Sequence, residues 1–207
     1  MIFSSTLLEN AVSEFAKLPG IGKKTALRLV LHLIKKEENE VTRFSEAIAT
    51  MRSEIKFCSR CYNISDTVLC NICSSHTRKQ EMLCVVENIR DVIAIESTQQ
   101  FNGVYHVLGG IISPLDGIGP DQLTIEPLVK RVAEESITEI IFALNANIQG
   151  DTTIYYISKK LKAVPVKITT IARGIAFGGE LEYADEMTLA KSIANRIAVE
   201  NYIVSGN

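Results

Sequence analysis

The sequence predicts a multi-part α/β protein: a helical front and a small four-cysteine module precede a mostly parallel sheet domain and a C-terminal tail helix. Apolar residues recur at helical spacing in the front, and four cysteines then crowd into sixteen residues. Beyond residue 81, short β-rich runs alternate with helical segments, as in a parallel sheet covered by helices. The predicted parts are residues 1–56, 57–80, 81–175 and 176–207.

The front part is predicted to hold three helices, because its apolar residues repeat with the helical period. These residues are Leu7, Leu8, Val12, Phe15 and Ala16 in the first helix, Ala26, Leu29, Val30 and Leu33 in the second, and Phe44, Ile48, Met51 and Ile55 in the third. The segment 18–22, Leu-Pro-Gly-Ile-Gly, is too rich in helix breakers to stay helical, so it predicts a tight turn.

This turn resembles the helix-hairpin-helix motif, which binds the DNA backbone. Gly20 and Gly22 allow backbone angles that other residues avoid and let the chain approach a ligand closely. The second helix begins after Gly22, so its free N–H groups suit a phosphate, and Lys23, Lys24 and Arg28 add positive charge. Such contacts do not read base sequence. The alternative is a hairpin used only for packing or subunit contacts.

The cysteine module is predicted to bind one structural zinc ion. Cys58-x-x-Cys61 and Cys70-x-x-Cys73 form two knuckles that together offer four thiolates to a tetrahedral ion. A closed four-sulfur shell leaves no position for a catalytic water, and metal binding supplies the folding energy that so short a segment lacks. Two alternatives are His76 in place of one cysteine, and four free or redox-active thiols.

The remaining chain predicts a β-α-β-α succession and a tail helix. The predicted strands are residues 83–86, 104–108, 140–144 and 166–171, and the predicted helices are 91–97, 125–135, 151–161 and 185–199. Cys84 lies in the first of these strands, where it is expected to be a small core residue. A glycine-rich turn at 177–179 precedes the tail helix, whose apolar positions include Leu189, Ile193 and Ile197.

Composition places the protein among globular chains and shows uneven charge. Of the 207 residues, 46% are hydrophobic and 22% are charged, and the formal net charge is −2. Residues 1–80 carry a net charge of +4 and residues 81–207 carry −6, so phosphate contacts are expected in the front. No apolar run is long enough to span a membrane and no secretory signal is seen, so a cytosolic location is expected.

The sheet part resembles a Toprim domain, a magnesium-dependent fold of topoisomerases, primases and some nucleases. Active Toprim enzymes carry a glutamate after the first strand and an Asp-x-Asp motif with a further acid after a later strand. Here Glu87 is kept, whereas Asn145, Asn147 and Gln149 stand at the acidic positions. Because magnesium requires hard oxygen ligands, this loss of carboxylates predicts a non-catalytic domain. Asp91 and Asp151 remain as candidates for holding a weak ion.

The order of parts over essentially the whole chain resembles the RecR family of bacterial recombination mediators. Supporting stretches are residues 105–110 (Tyr-His-Val-Leu-Gly-Gly), 113–120 (Ser-Pro-Leu-Asp-Gly-Ile-Gly-Pro), 171–174 (Ile-Ala-Arg-Gly) and 179–183 (Gly-Glu-Leu-Glu-Tyr). The chain departs from the family pattern at Ala146 and Gln149, where proline and glutamate are usual. It also departs at Ile175 and Ala176, where valine and proline usually follow the arginine-glycine turn.

The resemblance implies a DNA clamp that acts with RecO and RecF to help load RecA on gapped DNA. It implies subunits joined through the helical front and the tail into a ring, expected to be a homotetramer, and a nucleoid-associated cytoplasmic location. Glu87, Asp91 and Asp151 are candidate residues for a basic partner such as RecO. Two alternatives stay open: a magnesium-dependent Toprim nuclease or primase, and an adaptor that contacts only proteins.

Overall fold

The computed structural model describes residues 3–175 and 178–199, and the chain divides into two compact units between Ile55 and Lys56. The first unit contains three helices, as predicted. They are α1 (Thr6–Ala16), α2 (Lys23–Ile34) and α3 (Glu38–Glu54).

The turn between α1 and α2 holds the two helices as a hairpin. Val12, Ala26 and Val30 are buried between them, and Ile21 packs partly against this cluster. Gly20 has φ +78°, a left-handed conformation that favours glycine over residues with a side chain. The turn therefore depends on glycine at position 20, and Ile21 anchors it.

Helix α3 has an apolar face that is left open in this structure. No residue of α3 is buried, and Phe44, Ile48 and Met51 are each about half exposed, at 45 to 52%. A helix of seventeen residues that buries none of its apolar side chains is unusual, because helices in proteins gain most of their stability from packing.

The cysteine module opens the second unit with small elements that were not predicted. Strands β1 (Lys56–Phe57) and β2 (Ile64–Ser65) pair in antiparallel fashion, and the single-turn helix α4 (Asn71–Ser74) follows. Two-residue strands leave no periodic apolar pattern in a sequence, so periodicity alone cannot find them.

The second unit then builds a four-stranded sheet that is parallel throughout, which confirms the predicted fold class. Its strands are β3 (Lys79–Val86), β4 (Gly103–Val107), β5 (Glu139–Ala143) and β6 (Lys167–Thr170), in the spatial order β4-β3-β5-β6. Its helices are α5 (Ile89–Ser97), α6 (Ile125–Glu134) and α7 (Ile148–Lys160). Strand β3 begins four residues earlier than the predicted strand 83–86.

Both faces of the sheet are covered. Leu83, Val85 and Phe142 face a core shared with α6 and α7, which contribute residues such as Leu128 and Ile157. On the other face, a smaller core includes Cys84 and Val92 of α5, with Tyr62 and Ile72 of the cysteine module packed against it. Cys84 is thus a buried core residue, and burial raises the pKa of its thiol to about 12.

The tail contains the predicted helix in shortened form. Helix α8 (Glu186–Ala194) has Asp185 as its N-cap, whose side chain accepts a hydrogen bond from the Thr188 N–H, and it ends at Ala194 rather than near 199. The predicted glycine-rich turn at 177–179 starts at a residue outside the described ranges, and residues 200–207 of the predicted tail also lie outside them. None of the helices in the described ranges is both long enough and apolar enough to cross a membrane.

Candidate metal centre and nucleic-acid interface

The four predicted cysteines converge on one buried point. The Sγ atoms of Cys58, Cys61, Cys70 and Cys73 all lie within 4.8 Å of one another, and all four residues are buried. The Cys70 N–H also points at Cys58 Sγ, at 3.3 Å. Within the described residues, this cluster contains no histidine, so His76 does not substitute for a cysteine.

Local backbone geometry brings the two cysteine pairs together. The strands β1 and β2 flank the first pair, and the Tyr62 N–H closes the knuckle by donating to the Cys58 carbonyl at 2.9 Å. Tyr62 has φ +63°, a conformation uncommon for a tyrosine, which directs the chain into the return strand. The second pair spans the start of α4, where the Ser74 N–H donates to the Cys70 carbonyl at 3.0 Å.

The crowded sulfurs suit a dication. Cys61 Sγ and Cys70 Sγ are 3.5 Å apart, and their hydrogen bond raises the pKa of the Cys61 thiol and lowers that of the Cys70 thiol. A group of thiols that hold one another's protons in this way releases them when a zinc ion binds the thiolates. The donor set is therefore that of a closed structural zinc site.

A polar network attaches the cysteine module to the sheet. Arg60, which lies inside the first knuckle, donates two hydrogen bonds to Glu135, at 2.9 and 2.8 Å. Arg60 also donates to Gln80 at 2.6 Å, and the Val107 N–H of β4 donates to the Cys61 carbonyl at 2.8 Å. Sequence reasoning missed this network, since nothing in the spacing of Arg60 and Glu135 links residues so far apart.

Helix α2 begins with an open N-terminus. Gly22 is its N-cap and has no side chain to accept a hydrogen bond, so the first N–H groups of the helix remain available to a ligand. Lys23, Lys24 and Arg28 are exposed, and no carboxylate among the described residues lies within ion-pair distance of them. An anion fits this combination of backbone donors and unpaired cations.

Only part of the predicted cationic set lies on one stripe. Lys24 and Arg28 line a shallow groove along α2 together with Leu27, Leu31, His32 and Lys35. Lys23 lines a different depression, beside Glu9 and Ser13 of α1. His32 and Lys35 were not among the predicted DNA contacts, although the helical spacing of positions 24, 28, 32 and 35 indicates the stripe in the sequence.

The carboxyl edge of the sheet holds Glu87 and the amides that were predicted there. The Asn145 side chain donates from Nδ2 to Glu87 Oε2 at 2.7 Å. Asn147 caps α7, where its Oδ1 accepts from the Gly150 N–H at 2.8 Å. A Cβ at Gly150 would lie only 2.1 Å from the Asn145 carbonyl oxygen, so this tight loop requires glycine.

The two other predicted acids are each occupied by a local partner. Asp91 completes a capping box at the start of α5, where its Oδ2 accepts from the Asn88 N–H at 2.9 Å. Asp151 pairs with Arg173 at 2.6 Å. In the part of the chain that the structure describes, these acids form no metal-sized group with Glu87.

Comparison with known protein families shows to which family the chain is related. Four family descriptions match in order: the RecR helix-hairpin-helix at residues 8–52, the RecR four-cysteine zinc finger domain at 55–75, the Toprim domain at 81–172 and the RecR C-terminal region at 174–197. The chain belongs to the RecR family. The predicted family is thereby confirmed, and the four clustered cysteines are the ligands of a RecR-type zinc finger that holds one structural zinc ion.

Curated RecR relatives match along nearly their whole length. The protein named Recombination protein RecR from Amoebophilus asiaticus is 58% identical over 197 residues, which cover 95% of this chain and 98% of the relative. The proteins of the same name from Bacteroides fragilis and Cytophaga hutchinsonii are each 57% identical. The matches cover 94% and 97% of this chain, and 95% and 98% of the respective relatives.

Proposed function

We propose that this RecR-family protein is a non-catalytic DNA-binding scaffold in recombinational DNA repair. The observation that carries the proposal is the open N-terminus of α2 beside unpaired cations, in a unit matched by a helix-hairpin-helix family. The names of the relatives, which are recombination proteins, support the process. Work on chromosomal DNA implies a cytoplasmic location, associated with the nucleoid.

The DNA backbone is the proposed ligand of the hairpin. The turn at Gly20 and Gly22 lets a phosphate approach the first N–H groups of α2, while Lys23, Lys24 and Arg28 neutralise neighbouring phosphates. Each neutralised phosphate releases counterions, so binding weakens as salt rises. These contacts touch no base edge, and binding is therefore expected to be independent of sequence.

The test replaces Lys23, Lys24 and Arg28 together by alanine and measures duplex binding at several salt concentrations. We expect weaker binding and a salt slope shallower by about 2.7, since each phosphate contact contributes about 0.9. The matched control replaces Arg43 and Arg52, two exposed cations of α3 in the same unit. Equal affinity and slope for the triple variant and the wild type would favour the adaptor alternative, in which the hairpin contacts only proteins.

The absence of catalysis is proposed from the carboxyl edge of the sheet. Asn145 donates a hydrogen bond to Glu87, where a Toprim enzyme would present a second carboxylate to magnesium. The competing function is a magnesium-dependent nuclease or primase. Purified protein is expected to show no cleavage or synthesis with magnesium. Turnover that disappears in the Glu87→Ala variant would establish the enzyme instead.

Partner proteins of the RecO and RecF type, and help in loading RecA on gapped DNA, complete the proposed role. Glu87, Asp91 and Asp151 are the proposed contacts for a basic partner. Asp91→Asn removes charge but keeps an oxygen that can cap α5, so it separates recognition from folding. In a pull-down with RecO, the combined Glu87→Gln, Asp91→Asn and Asp151→Asn variant is expected to bind less than the wild type; equal retention would place the contact elsewhere.

Self-association is proposed through the open face of α3 and the tail. Phe44, Ile48 and Met51 offer one apolar surface, and the tail offers a second, which includes Met187 and Ile193 at 65 and 60% exposure. Two different two-fold interfaces in one chain can close a ring of four subunits, the proposed homotetramer, when their axes intersect at right angles.

A further inference from the structure

One segment of the sheet domain departs from the acidic character of its surroundings. Residues 81–207 contain 16 Asp and Glu against 10 Lys and Arg, yet residues 152–179 contain no acid and five of those cations. Three of the five are paired in the structure: Lys160 with Glu126, Lys167 with Glu139 and Arg173 with Asp151. Lys159 and Lys162 have no carboxylate within ion-pair distance among the described residues.

Lys159 lies on the outer side of α7 with an exposed aromatic ring, and Lys162 follows the last residue of the helix by two positions. Thr153 and Ile157 bury the inner side of the helix against the sheet. Tyr155 is 62% exposed on the outer side, and Lys159 Nζ lies 4.9 Å from the centre of its ring. Tyr155 and Lys159 are four residues apart within α7 and therefore share one face. The exposed Lys162 lies in the turn that directly follows the helix.

We propose that this outer face of α7 binds single-stranded nucleic acid, with a base stacked on Tyr155 and phosphates held by Lys159 and Lys162. An exposed aromatic ring beside unpaired lysines is the combination that single-strand-binding surfaces use, because every base can stack and every nucleotide carries a phosphate. Lys159 Nζ lies over one face of the Tyr155 ring, so a stacked base takes the opposite face, with the ammonium charge close by. An acidic protein segment could pair with the lysines but offers no base to stack on the exposed Tyr155 ring.

This proposal deepens the proposed function, on which it rests, by adding a contact on the second unit to the one at the hairpin. A gap in DNA contains both duplex and single strand. The hairpin contacts described above suit any phosphate backbone, whereas a stacking ring requires unpaired bases. The α7 face thus gives the chain a means of preferring gapped DNA over intact duplex.

The test uses the absence of tryptophan from the chain. In the Tyr155→Trp variant the new indole is the only one, and stacking on a base quenches its fluorescence. Tyr183, which is 80% exposed in the tail, provides the matched control as Tyr183→Trp. We expect oligothymidylate to quench the first variant and leave the second unchanged, while an abasic oligomer of equal length quenches neither.

Affinity measurements on the full chain complete the test. Tyr155→Ala is expected to weaken single-strand binding about tenfold, a typical loss for one stacked base. Lys159→Ala with Lys162→Ala is expected to reduce the single-strand salt slope by about 1.4. The melting temperature of each variant verifies that it is folded. We expect this temperature to be unchanged, because all three side chains are exposed.

The outcomes separate this proposal from the hairpin. The Tyr155→Trp protein is also prepared with Lys24→Ala and Arg28→Ala. Quenching that persists in this protein supports a single-strand contact that does not depend on the hairpin, even if the hairpin were to bind no DNA. Two results overturn the α7 proposal. The first is oligothymidylate that binds the Tyr155→Trp protein without quenching its fluorescence. The second is oligothymidylate that does not bind at all at low salt. In the first case, duplex binding that depends on Lys24 and Arg28 leaves the proposed function standing.

Discussion

At the scale of single residues, Cys70 provides the sharpest test of the metal site. Cys70→Ser replaces one thiolate in a closed shell, and we expect zinc content to fall from one ion per chain to nearly none. Since zinc binding supplies on the order of 10 kcal/mol to such segments, residues 57–80 are expected to lose their fold. Elemental analysis and amide hydrogen exchange measure the two effects.

Cys84 is the control for this substitution, because it is equally buried but lies in the sheet core outside the cluster. The Cys84→Ser protein is expected to keep its zinc at some cost in stability. Full zinc content in the Cys70→Ser protein would show that four cysteines are not all required.

Asn145 allows a second prediction, on the carboxyl edge. Asn145→Asp exchanges the hydrogen bond to Glu87 for repulsion between two carboxylates, at a cost of about 1 kcal/mol at pH 7 in this partly exposed place. The repulsion raises the pKa of one carboxyl in the folded state above its unfolded value. The penalty is therefore present at neutral pH and vanishes as the pH falls and that carboxyl becomes protonated.

Urea unfolding at pH 7 and at pH 4 measures this change. Asn147→Asp is the matched control, because Asn147 caps α7 and aspartate is an equally good N-cap. Equal stabilities of the Asn145→Asp protein and the wild type at both pH values would mean that the bond between Asn145 and Glu87 has no energetic weight.

Residue chemistry explains which parts of the sites were predictable. The zinc ligands were found because tetrahedral coordination imposes a spacing that is written in the sequence. The loss of carboxylates at positions 145 and 147 was visible by resemblance alone. The bond between Asn145 and Glu87, by contrast, joins residues 58 positions apart, and only the parallel pairing of β3 with β5 brings them together.

At the scale of elements, the junction between the cysteine module and α6 depends on Glu135. Burial raises the pKa of this carboxyl, but the hydrogen bonds and charges of Arg60 and Arg131 lower the pKa by a larger amount. The net result is a pKa below the usual range. Glu135→Gln leaves Arg60 and Arg131 without their anion, and we expect a loss of about 2 kcal/mol at pH 7.

The pH dependence gives this prediction its sign. Because the pKa of Glu135 is lower in the folded state than in the unfolded state, its ionised carboxylate stabilises the fold above about pH 4.3. This stabilisation is lost as the pH falls through the pKa of the folded state. The stability difference between wild type and Glu135→Gln should therefore narrow below about pH 4. Glu134→Gln, a change at the neighbouring but largely exposed residue, is expected to stay within about 0.5 kcal/mol of wild type.

The elements show where periodicity succeeds and where it fails as a predictor. Helices α1 and α2 and the four parallel strands follow from apolar spacing, because each buries one face or both. Helix α3 also follows from its apolar spacing, although it leaves that face exposed. Strands β1 and β2 do not, since each has only two residues, too few to show a period, and they pair with each other beside the cysteine cluster. The early start of β3 at Lys79 is likewise invisible, because its first residues pair at the sheet margin with little burial.

At the scale of the whole molecule, the open apolar surfaces bear on assembly. The chain has two exposed apolar surfaces, which mark interaction sites in many proteins. One consists of Phe44, Ile48 and Met51 on α3, and the other includes Met187 and Ile193 on α8. A single two-fold interface can form only a dimer, whereas two such interfaces can close a ring around DNA. Loss of either interface should then leave dimers, and loss of both should leave monomers.

Ile48→Glu and Ile193→Glu test this hierarchy, because each places a charge in the centre of one surface. We expect light scattering to give four times the 22.8 kDa chain mass for the wild type, twice that mass for either single variant, and the chain mass for the double variant. Ser45→Glu, on exposed polar surface of the same helix α3, is the control and should leave the mass unchanged. A monomeric wild type at micromolar concentration would exclude the ring. Monomers from one single variant would mean that the second surface cannot join subunits without the first.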